Sequence, residues 1–154
     1  MTDGPDDAHL RPDGLDDRTV EALGKLSEAL ETVEEARGHL YAFHRRCGTA
    51  DLALGEAVDL LREAGHDAIA DAVETDLVGR NILEGRWSFQ VVEEYDAGYY
   101  AAFKEHEQSA RNELVGGRPH LFEAEMKEDR RTYGRRHHEA TPGDSAQPDS
   151  AQSQ

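Results

Sequence analysis

Cysteine occurs once in the 154 residues, at Cys47, so no intrachain disulfide forms and no cysteine knuckle can hold a metal. Long hydrophobic runs are missing as well. No stretch approaches the roughly 20 apolar residues that span a bilayer, and the opening "TDGPDDAHLRPDGLDD" has neither the basic nor the apolar region of an export signal. A cytoplasmic protein without membrane contact is the expectation. Positive charge is scarce: 17 Lys and Arg, only Lys25, Lys104 and Lys127 being lysine, stand against 33 Asp and Glu for a net charge of -16. Such a field repels phosphate backbones, which argues against nucleic acid as a partner. There is no Gly-x-Ser-x-Gly turn, no phosphate loop and no dinucleotide glycine fingerprint, so the readily recognised enzyme classes are excluded and no cofactor is expected.

What is present is helical periodicity. From Asp17 the apolar residues Val20, Leu23, Leu26, Leu30, Val33, Leu40 and Phe43 fall three and four apart, which predicts a helix over 17–46 with Asp17 as N-cap and Gly48 past its end. At 1.5 Å per residue it would run roughly 45 Å, too long to be stable alone. Thr49 is read as the cap of a second helix ending at Gly65, and Asp67 as the start of a third, with Ile69, Val73 and Leu77 inward, ending at Gly79. A fourth begins between Ser88 and Glu94, turns Val92, Tyr95, Tyr99, Phe103, His106, Ala110 and Leu114 inward and closes at Gly116 and Gly117. Pro119 opens a fifth, short segment. The reading is all-α: two long antiparallel helices plus a short helical hairpin, with a fifth C-terminal helix. A single domain over 17–133 is flanked by disordered tails, acidic over 1–16 and Ser/Gln-rich over 134–154.

In that topology the hairpin covers half of the seam between the long helices. The other half, around Leu23, Leu26, Leu30, Ala110 and Leu114, needs either the segment after Pro119 or a second copy of the chain. A two-fold homodimer through this half is the expectation.

Chemistry-bearing residues are few. Glu35 and His39 lie one turn apart on the first helix, with His44 a turn beyond, and His106 lies on the inward face of the fourth; His39 or His44 with His106 are the ingredients of a mononuclear metal site. A di-iron bundle would need two Glu-x-x-His pairs, and the sequence holds one, Glu63 with His66, at the Gly65 break. Cys47 has Arg45 and Arg46 to favour a thiolate, but a helix C-terminus against it, and is read as a bystander. The basic run Lys127, Arg130, Arg131, Arg135, Arg136, His137 and His138 suits a helix end lying against acidic faces of its own or a neighbouring subunit. The richest stretch is "GRNILEGRWSFQVVEEYDAGYY", residues 79–100, where Arg80, Asn81, Arg86, Trp87 and Tyr95, with His44, are the candidates for contact with a ligand or partner. Structurally the same stretch is a corner between helices, plugged by its apolar residues. The functional expectation is a small interaction or scaffold protein, self-associating and without evident catalysis. The alternative is a bundle that binds a small ligand or a metal.

Overall fold

The computed structural model describes residues 4–141. Its elements are a 3-10 turn at Asp7–His9, α1 (Asp17–Glu63), α2 (Asp67–Asp76), α3 (Ser88–Tyr95), a π-helical turn at Asp96–Tyr100, α4 (Ala101–Val115) and α5 (Leu121–Arg130). The fold is all-α. The chain divides into two compact units, one holding residues up to Ala29 and from Glu105 onward, the other Leu30–Lys104.

The break expected at Gly48 does not occur. Helix α1 runs on to Glu63 and ends at Gly65, whose φ of 83° is the left-handed turn that closes a helix, with His66 N–H donating to the Leu61 carbonyl. Thr49, expected as a cap, is an interior residue: its hydroxyl donates to the carbonyl of Arg45 one turn back. The cause is continuous burial. Val33, Arg37, Leu40, His44, Cys47, Asp51, Leu54, Val58 and Leu61 are buried or half-buried, spaced four and three without a slip through Gly48. The cap at the other end is Asp16 rather than Asp17; its carboxylate accepts from Thr19 N–H at 2.7 Å. That bond holds the Asp16 carboxyl below its ordinary range.

In the Leu30–Lys104 unit the first part of α3 and the π turn pack antiparallel on α1. His44 meets Ser88, Arg37 meets Asp96, and Glu34 meets Tyr100, in that order along the two elements. The C-terminal part of α1 folds back through Gly65 onto α2, and Arg62 bridges the hairpin to Asp71 and Glu74. Ala70 and Val58 are buried there, Val33 and Val92 at the other end. The expected hairpin therefore exists, with its first arm continuous with α1.

The other unit buries Val20, Val115 and Leu121. Helix α5 lies on the first part of α1, where Phe122 sits 3.4 Å from the position a Cβ on Gly24 would take. The expected homodimer rested on an uncovered apolar half; α5 of the same chain supplies a cover there. Residues 7–16, expected as tail, are held in place. Arg11 makes a bidentate bond to Glu125, with both distances 2.9 Å, and Arg118 donates to the Leu10 carbonyl. Residues 1–3 and 142–154 of the two expected tails lie outside the described residues.

A register shift separates the fourth expected helix from the observed one. Val92 is inward as expected and Phe103 and Ala110 are half-buried as expected, but from the π turn onward the more buried residue is one later than expected at three places. Tyr99 is 58% exposed and Tyr100 half-buried; His106 is exposed and Glu107 only 4% exposed; Leu114 is 45% exposed and Val115 2%. A π turn closes i→i+5 and so takes up one residue more than an α turn, which moves every later side chain by one position.

Candidate functional site

The corner of residues 77–88 frames a solvent-open groove of about 630 Å³ in the Leu30–Lys104 unit. Its floor is the middle of α1, Cys47, Gly48 and Asp51, and its walls are Leu54, Leu77, Ile82 and Trp87, with Arg80, Asn81 and Ser88 on the edge. Local chemistry builds it. Gly79 adopts φ 71° after α2, and its N–H donates to Asp51 Oδ1 at 2.8 Å, which ties the corner to α1. Gly85, at φ 71°, makes the tight turn that pairs Leu83 with Arg86. Trp87 then caps α3 through its own N–H, donated to Gln90 Oε1 at 2.9 Å, leaving its indole 59% exposed and edge-on to Phe89.

Of the six expected contact residues, the groove gathers Arg80, Asn81 and Trp87. His44 stands behind it, its Nδ1 sharing a 2.8 Å hydrogen bond with Ser88 Oγ. Arg86 and Tyr95 do not line it: Arg86 Nε lies 2.8 Å from both oxygens of Glu94, and Tyr95 donates to the Val33 carbonyl at 3.3 Å. Arg80 bonds Asp76 at 2.9 Å. Both arginines flanking the corner thus close over carboxylates of neighbouring helices. Asn81 has no hydrogen-bond partner among the described residues.

Glu35 and His39 are exposed neighbours on α1, 4.0 Å apart, while His106 is exposed on α4 in the other unit, for the register reason given above. Among the described residues no group of three or more His, Cys, Asp or Glu is placed to hold a metal ion. No helix there is long and apolar enough to cross a membrane. The basic run loses one member inward: the Arg131 side chain is buried on Glu128, at 2.7 and 2.9 Å, and Tyr133 donates to the same carboxylate. These bonds hold Glu128 below the ordinary carboxylate range, Arg131 contributing most.

Residues that sequence reasoning passed over are Arg37, Asp51 and the π turn. Arg37, His44 and Asp51 recur every seven residues on the buried face of α1, and each binds a different piece of the returning chain. Arg37 grips Asp96 through Nε and Nη2 at 2.6 and 2.9 Å, with its Cζ 4.9 Å from the Tyr41 ring centre and 5.1 Å from that of Tyr100. Lys104 Nζ sits 4.3 Å from the Tyr100 ring centre. The Arg37 hydrogen bond holds the Asp96 carboxyl below its ordinary 3.8, and burial together with the bond to Glu34 raises the Tyr100 hydroxyl above 10.0.

A depressed carboxyl contributes stability that is present above its unfolded value and lost as pH falls through its folded one. Asp96→Asn is therefore expected to remove that contribution at neutral pH and to flatten the loss of stability below about pH 4, read from urea midpoints across the acid range. Equal acid slopes for the variant and the wild type would exclude the pair as a contributor. Asp16, Glu128 and Glu139, shifted the same way, would keep the rest of the slope.

No protein-family model matches the chain, and neither the curated proteins nor the solved structures yielded a match. Function is therefore argued from the groove and its surroundings.

Proposed function

We propose that the protein is a helical interaction module without catalysis, cytoplasmic, whose recognition surface is the groove at the 77–88 corner. The observation that carries this reading is Trp87. The sole tryptophan of a highly charged chain stands 59% exposed beside Leu77 and Ile82, over a groove floored by the middle of a helix. Exposed tryptophan beside apolar side chains is characteristic of the residues that carry binding energy at protein interfaces. Gly48 supports it. A mid-helix glycine costs about 1 kcal/mol relative to alanine, and no atom within 4 Å of its missing Cβ forbids a side chain. Gly38 and Gly55 are equally open, but only Gly48 forms the groove floor.

The volume also falls in the range of small-molecule sites, and that favours a second reading, a pocket for an apolar ligand. Against it, the groove's polar groups are already engaged: Asp51 by Gly79, Ser88 by His44 and Arg80 by Asp76, which leaves Asn81 alone to orient a ligand.

Trp87→Ala is expected to keep its far-UV circular dichroism and melting temperature but to lose proteins that co-purify with the wild type. Wild-type tryptophan fluorescence should shift to the blue when a partner is added. A variant that unfolds would instead make Trp87 a structural plug, and the interaction reading would fall with it.

A further inference from the structure

We infer that the occupant of the groove is the cationic C-terminal segment, residues 126–138, of a second copy of this chain, an inference that rests on the groove being the interaction surface. Charge is the first argument. Every arginine of the hairpin and corner is already in an ion pair, Arg62 with Asp71 and Glu74, Arg80 with Asp76, Arg86 with Glu94. Glu56, Asp59, Glu63, Asp67 and Glu84 have no cationic partner among the described residues. Arg45 and Arg46, just before Cys47 on α1, are also exposed without an ion pair among the described residues, so five unpaired carboxylates stand against two unpaired cations and the balance of this region is net negative.

The C-terminal segment has the opposite balance. Lys127, Arg130, Arg135 and Arg136 are exposed and carry no ion pair among the described residues, while Glu125 and Glu128 are already bound to Arg11 and Arg131. Lys127 and Arg130 on α5, and Arg135 and Arg136 after it, follow Met126, which is 47% exposed and one turn beyond Phe122. An apolar side chain with cations after it matches a groove with apolar walls and an acidic surround.

Net charge then decides the mode. With -16 per chain, two copies repel one another wherever like faces meet, and a self-to-self contact of two acidic hairpins is opposed. A contact of segment with groove places opposite charges together. Such a contact is heterologous; it closes into a pair if two form reciprocally and otherwise extends into a chain of copies.

Complementation between two full-length variants tests this. Gly48→Arg fills the groove floor with a cation, in space open to it. Arg130→Glu/Arg135→Glu/Arg136→Glu reverses the segment at exposed positions and leaves Arg131 in place. Each variant alone should be monomeric in native mass spectrometry and sedimentation at concentrations where the wild type assembles. Their equimolar mixture should form one-to-one heteropairs, because the Gly48→Arg chain still offers an intact segment and the triple variant an intact groove.

A triple variant that assembles like the wild type would overturn the inference and leave the groove as the surface. If Gly48→Arg assembles normally, both the inference and the interaction reading of the groove fail. A wild type that stays monomeric, or a mixture without heteropairs, overturns the inference alone, since the Trp87→Ala experiment tests the groove against other partners.

Discussion

Arg111→Met is expected to destabilise the protein by about 3 kcal/mol, whereas Glu107→Leu/Arg111→Met should recover most of that loss. Glu107 is 4% exposed, on the inward face of α4. Arg111, one turn on, binds both of its oxygens, and Ser27 Oγ of α1 donates to Oε1 at 3.1 Å. Removing the guanidinium strands a carboxylate in the interior with a single hydroxyl donor, and that desolvation is where the cost arises. Removing both charges replaces the pair by apolar volume, which is often neutral. The Arg111 side chain is 24% exposed, so water reaches one side of the pair and the effect lies at the low end of the range for buried pairs. Urea denaturation of the two variants decides it. Equal destabilisation would mean that the packing around Val115 and Leu121, and not the stranded charge, sets the cost.

Glu107 also marks how far the fold could be read. The class, the antiparallel return, the hairpin and the helix ends at Gly65 and at Gly116 and Gly117 were legible, because apolar spacing and glycine report directly on burial and on left-handed backbone. The continuity of α1 through Gly48 was hidden by chemistry. Arg37, His44 and Asp51 occupy half-buried positions where a reading of apolar residues expects apolar ones, so the apolar periodicity lapses before Gly48. Their seven-residue spacing, in phase with Leu40, Cys47 and Leu54, is the signal that would have bridged it. The phase of the fourth helix could not be read this way. Tyr99 and Tyr100, or Leu114 and Val115, are adjacent apolar pairs, and either register gives a plausible face. Only His106 against Glu107 separates them, and the more polar choice is the buried one because Arg111 and Ser27 are there to meet it.

The groove was partly legible. Arg80, Asn81 and Trp87 were grouped because a corner between helices brings its own residues together, and locality needs no tertiary information. Cys47, Gly48, Asp51 and Leu54 come from a part of α1 some thirty residues earlier, and their place under the corner depends on the hydrogen bond from Gly79 to Asp51. Arg86 was misplaced for a simple reason. Two residues along the chain from Ser88, it turns to Glu94 on the following helix and does not line the groove. Of the two covers open to the second half of the seam, the segment after Pro119 or a second copy, α5 lies against the first part of α1, and Leu121 is its one buried residue.

Deleting Ala97 from the π turn is expected to leave the fold close to the wild type, and deleting Gln108 from α4 to unfold the unit that contains it. The π turn at Asp96–Tyr100 holds one residue more than an α turn would need. Ala97 is exposed, so its removal lets the turn close i→i+4 while Tyr100, Glu107 and Val115 keep their directions. Gln108 is exposed too, but it lies in regular α-helix, where there is no surplus residue to give up. Its loss rotates everything after it by roughly 100°. Val115, 2% exposed, leaves the core at a cost of about 1.5–3 kcal/mol, and the chain leading to Leu121 is displaced with it. Far-UV circular dichroism with thermal melts separates the two deletions, since composition and length are nearly the same in both. If the Ala97 deletion melts as low as the Gln108 deletion, the extra residue is required by the packing of Arg37, Asp96 and Tyr100 rather than merely accommodated. The one-residue offset between the apolar pattern and the buried face would then be a fixed requirement of the Leu30–Lys104 unit.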